Sequence, residues 1–92
     1  MNFEFKSAIT RGGGILTPEN IIITSTHVIW KKRNKFLIGM DTISIQKDKI
    51  SSVELDNKIW GVDITIHSFG GTSIIAKNFT GSDAKKIHEL LM

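Results

Sequence analysis

The sequence predicts a mainly β protein (α+β) in which about seven antiparallel strands form a strongly bent sheet or partial barrel, plugged at one open end by one C-terminal α-helix. Three observations carry that reading. Apolar and polar residues alternate through most of the chain as far as residue 79, which is the period of a half-buried strand. Short runs of Gly, Asn, Asp, Ser and Thr break the alternation at intervals, as turns between strands do. From Thr80 the period changes, and Ala84, Ile87, Leu90 and Leu91 fall at helical spacing. A chain of 92 residues has room for one core. The expectation is therefore a single domain, 1–92, with strands within 3–79 and the helix at about 81–92.

Taken in order, "FEFKSAI" places Phe3, Phe5 and Ile9 on one face and Glu4 and Lys6 on the other. "TRGGGILTPEN" supplies glycines and the only proline, the punctuation of a loop. "NIIITSTHVIWKK" reads as two β-branched strands joined at a tight Ser25–Thr26 turn. "RNK" is the next turn signal. In "KFLIGMDTISIQ" the apolar positions are Phe36, Ile38 and Met40, then Ile43 and Ile45. That change of phase predicts a bulge or bend near Asp41–Thr42. After the polar connector "QKDK", "ISSVEL" alternates Val53 and Leu55 against Ser52 and Glu54. "GVDITIHS" sets Val62, Ile64 and Ile66 against Asp63, Thr65 and His67, and is the clearest strand in the chain. "FGG" (69–71) is a hairpin turn and "TSIIAKNF" the last strand. Thr80 or Ser82 caps the helix, with Asp83 in its first turn.

There is no cysteine, which excludes disulfides and Cys-based zinc, iron–sulfur or thiol chemistry. The N-terminal residues lack the continuous apolar run of a signal peptide, and no later stretch has the length of a transmembrane helix. A cytoplasmic protein is expected. The net charge is +3, and four of the twelve basic side chains are Lys31, Lys32, Arg33 and Lys35. The rest of the chain is close to neutral, so its electrostatics are local.

That basic cluster is the first candidate site. It offers phosphate contacts to an acidic membrane surface or, less readily, to nucleic acid. It equally suits the solvated tip of a β-hairpin, where lysines keep an edge from pairing with other chains. "RGGG" (11–14) has neither the Gly-Lys-Ser/Thr of a P-loop nor a strand–helix context, and reads as a flexible loop. His27, His67 and His88 have no helical i,i+4 partner and no cysteine company, so no metal site is expected. Ser68 lacks a nucleophile elbow, and no carboxylate pair sits in an apolar setting. No catalytic residue and no cofactor is expected. The second candidate site is apolar. "FLIGM" and Ile21–Ile23 are apolar on both faces, so some of their side chains face outward. Ile22, Phe36, Leu37, Ile38, Met40 and Trp60 are thus candidate interface residues.

Three stretches, in this order, resemble the bacterial pleckstrin-homology-like (PH-like) domain family. They are "LTPENIIITSTHVIW", "ISIQKDKISSVELDNKIWG" and "VDITIHSFGGTSIIAKNF", the last running into the terminal helix. The likeness covers roughly residues 16–92. The resemblance implies a PH-like bent antiparallel β-barrel capped by the C-terminal helix. It also implies a small cytoplasmic or membrane-associated module, of a kind in which some bacterial members self-assemble into rings. Relatives of the fold bind phosphoinositides near the first hairpin loop, or bind peptides along a sheet edge. Here the loop before residue 20 holds Arg11 but no basic cluster, so the lipid site does not carry over. The leading expectation is an interaction module that forms a homo-oligomer and binds a protein partner. The alternative is an anion-binding module for acidic lipid or nucleic acid through the basic tip.

Overall fold

A computed structural model describes residues 2–7, 19–33, 39–59 and 61–92, with the backbone alone at Arg33 and Met40. Strands β1 (Phe3–Lys6), β2 (Glu19–Ile23), β3 (His27–Arg33) and β4 (Met40–Gln46) form one antiparallel sheet in that order. A 3-10 turn, Lys47–Lys49, leads to the second sheet of β5 (Ile50–Lys58), β6 (Gly61–Ser68) and β7 (Ser73–Phe79). Helix α1 (Gly81–Leu91) ends the chain. The described residues thus form seven antiparallel strands and one C-terminal helix, the PH-like architecture. Among the described residues no ladder joins one sheet to the other, so the expected barrel is two bent sheets rather than a closed cylinder.

The core follows from the alternation. On the first sheet Ile21, Ile23, Val28 and Ile45 point inward, with Phe3, Phe5, Trp30 and Ile43 packed around them. On the second, Val53, Val62, Ile64, Ile66, Ile74, Ala76 and Phe79 face them. Ala84 and Ile87 of α1 complete the cluster, flanked by Leu90 and Leu91. Each large aliphatic side chain buried here contributes roughly 1.5–3 kcal/mol of transfer free energy. The helix starts at Thr80, whose Oγ1 accepts the Asp83 N–H at 3.2 Å. Lys86 Nζ lies 5.7 Å from the centre of the Phe3 ring, tying α1 to the edge strand β1.

Three details differ from the sequence reading. The bulge expected near Asp41–Thr42 is absent: β3 and β4 pair without interruption from His27–Gln46 to Arg33–Met40. Each residue of β3 has one partner in β4, so no extra residue is left to bulge. The irregularities lie elsewhere, between Ile50 and Ser52 and between Val62 and Ile64. At the second, Asn78 takes φ 65°, a left-handed conformation that asparagine tolerates, and its N–H donates to Asp63 Oδ1 at 3.1 Å. The added residue moves the inward phase of β7 from Ile74 and Ala76 to Phe79.

The β5 strand also runs further than "ISSVEL", to Lys58, because Asp56, Asn57 and Lys58 pair with Asp63, Val62 and Gly61. Leu55, expected beside Val53 in the core, is on the inward row opposite Ile64 but remains 38% exposed.

Candidate functional site

Strand alternation separates the basic residues that are adjacent in sequence. Lys31 is opposite Asn20 and Thr42, whereas Lys32 is opposite Glu19 and Asp41, on the other face of the sheet. Lys32 Nζ is 4.0 Å from Glu19 Oε2. Two of the four candidate anion contacts thus point apart, and one of them already faces carboxylates. Arg33 ends β3, and Lys35 lies outside the described residues.

Of the candidate interface residues, Ile22 is on the outer face of the first sheet, half-buried between Glu4 and Ile29. Met40 is the first residue of β4. Phe36, Leu37, Ile38 and Trp60 lie outside the described residues, as does the "RGGG" loop.

Glu19, which reads in the sequence as part of a loop, is the buried charged residue among those described, at 7% exposure. Its Oε1 accepts the Trp30 indole N–H at 2.8 Å and the Lys77 backbone N–H at 3.2 Å. Its own N–H donates to Ser7 Oγ at 2.8 Å. One carboxylate therefore joins β2, β3 and β7 and closes the seam between the sheets on that side. The sequence signal was a tryptophan on an inward strand position, whose N–H needs an acceptor once buried.

The outer face of the second sheet brings together three side chains from its three strands. Ser73 Oγ is 3.3 Å from His67 Nδ1, and His67 Nε2 is 3.5 Å from Glu54 Oε2. The order is that of a nucleophile, base and acid. However, the His67 and Glu54 side chains are 39% and 67% exposed, and neither of two surface clefts includes any of the three. In the sheet the three side chains form a cross-strand polar ladder.

The larger cleft, about 510 Å³, lies where β4 ends. It is bounded by Ser44, Ile45 and Gln46 on one side, by Lys49, and by the β6–β7 hairpin from Ser68 to Thr72. The hairpin is held by Phe69 N–H donating to Lys49 O at 3.0 Å and by Ser68 Oγ donating to Thr72 O at 2.7 Å. Phe69 is 77% exposed at the rim. Within the two sheets as described, β1, β4, β5 and β7 each have one side without a strand neighbour.

Two bent antiparallel sheets, open at their edges and capped by a C-terminal helix, define the PH-like class, whose members are generally non-catalytic interaction modules. The family model of the bacterial PH domain matches residues 3–92, and the chain belongs to that family. No curated protein matches the sequence significantly. Among the described residues no helix is long and apolar enough to cross a membrane.

Proposed function

We propose that this chain is a non-enzymatic interaction module that self-associates and takes a protein partner through an open strand edge. The observation that carries this reading is that, among the described residues, each sheet ends in strands with no strand neighbour on one side. A free edge offers a row of backbone N–H and C=O groups at fixed spacing, which another extended chain matches far better than a small molecule does. The generally non-catalytic character of PH-like domains agrees with it, as does the solvent exposure around Ser73, His67 and Glu54. A cytoplasmic setting is compatible with a chain that has no cysteine.

Anion binding through Lys31, Lys32, Arg33 and Lys35 is the weaker reading, because Lys31 and Lys32 point to opposite faces and Lys32 faces Glu19. Size-exclusion chromatography with light scattering over a concentration series tests the proposal. A mass that rises above one chain supports self-association, and a strict monomer at every concentration overturns it.

A further inference from the structure

Resting on that reading, we infer that the partner is a second copy of this chain, and that the two copies pair antiparallel along β4 about a two-fold axis at Ser44. The four edges differ in what they present. β1 is four residues long, and β7 is broken by the irregularity at Asn78. β5 is the longest, at nine residues, but its outer row carries Glu54, Asp56 and Lys58. An antiparallel self-pairing of β5 centred on Glu54 or Asp56 sets that carboxylate against its own copy. Centred on Leu55, it sets Glu54 against Asp56 twice. Charge of this kind protects an edge from its own copies.

β4 has the opposite character. Its outer row, Thr42, Ser44 and Gln46, is exposed and uncharged, and its inner row contains Ile43 and Ile45. With the two-fold at Ser44, Thr42 comes opposite Gln46 of the other copy and Ile43 opposite its Ile45. Asp41 then falls beside the other copy's Lys47, once at each end, so the charges nearest the axis are complementary. A shift of the axis to Ile43 loses this match, because Asp41 then opposes Ile45.

The space beside the strand is also open. The 510 Å³ cleft runs along Ser44, Ile45 and Gln46, where an added strand would lie about 4.8 Å away. The exposed Phe69 across the cleft supplies apolar surface for such a strand to cover. The product is an isologous dimer with one continuous eight-stranded sheet, twice the four strands of the first sheet.

Because the chain has no cysteine, a single engineered thiol reports the register. Facing residues of an antiparallel pair have Cα atoms about 4.5–5.5 Å apart, within disulfide reach. Ser44→Cys is expected to become a disulfide-linked dimer on mild oxidation, while Glu54→Cys on β5 stays monomeric on denaturing gels. Ser44→Lys opposes two ammonium groups at the axis and is expected to reduce the light-scattering mass from two chains to one. Its thermal melt should match that of the wild type at concentrations low enough for the wild type to be monomeric, since Ser44 is exposed. A wild-type oligomer that cross-links through Glu54→Cys, that fails to cross-link through Ser44→Cys, or that survives Ser44→Lys overturns the β4 two-fold and leaves the edge reading standing. A wild type that is monomeric at every concentration overturns both.

Discussion

The seam between β2 and β7 and the seam between the end of β4 and the β6–β7 hairpin are closed by different means. At the first, Glu19 is buried and holds the Trp30 indole and the Lys77 amide on one oxygen. At the second, the hairpin is held by local hydrogen bonds to Lys49 and Thr72, and a cleft of about 510 Å³ remains between it and β4. A small β protein has limited apolar area with which to close both sides. Here a costly buried charge closes one side, and among the described residues the other is left as an edge strand without a strand neighbour and an exposed aromatic. The difference separates residues that hold the fold from residues that the proposed function assigns to a partner.

The largest expected effect is on the closed seam. Glu19→Ala leaves the part-buried Trp30 and Lys77 N–H groups without this acceptor, and is expected to cost about 1–3 kcal/mol in urea unfolding. Glu19→Gln keeps an acceptor oxygen for both donors and removes the charge near Lys32, so its cost should be about 1 kcal/mol or less. Equal losses for the two variants would show that charge, not hydrogen bonding, closes the seam. Next is Thr80→Ala, which removes the helix cap just after β7 and is expected to cost about 1 kcal/mol by the same assay.

On the open seam, Phe69→Ser is expected to change unfolding by less than about 0.5 kcal/mol, because the ring is already in solvent. The same variant should weaken self-association in light scattering, and a large loss of stability would mean that the two seams are not distinct in kind.

The smallest effects are at exposed charges. Lys31→Glu should leave both stability and cosedimentation with anionic liposomes unchanged, and a clear loss of sedimentation would revive the anion reading. At Lys58, the adjacent Asp56 carboxylate, 3.0 Å away, raises the ammonium pKa above its usual value. Any stability from this pair is present at neutral pH and is lost only as the pH rises through the raised pKa. Lys58→Met at neutral pH should therefore be nearly silent in thermal melts, as is usual for exposed pairs.

Much of the fold was legible because alternation is a local property. Val62, Ile64 and Ile66 are buried as their spacing requires, and Thr80 caps the helix where the period changes. Where local pattern was the only guide, it misled. The phase change in "FLIGMDTISI" suggested an extra residue at Asp41–Thr42, but pairing with β3 accommodates every residue there. Of the two shifts that do occur, the one at Asn78 follows a run whose apolar pattern shows no break until Phe79. Leu55 has the correct parity for the core, yet parity cannot reveal that it remains 38% exposed toward the end of β5.

The candidate site was less legible still. The cluster at residues 31–35 looks like one patch in the sequence, but alternation sends Lys31 and Lys32 to opposite faces. Glu19, Trp30 and Lys77 are far apart in the chain and meet only across the two sheets.

Composition, periodicity and turn residues alone determined that this protein is a β-rich domain with a terminal helix, because they act within a few residues of one another. Which edges stay open, which carboxylate is buried and which lysines share a face were decided only in the tertiary structure. Each depends on the register between strands and on how two sheets meet, and those long-range pairings leave no single local signature in the chain.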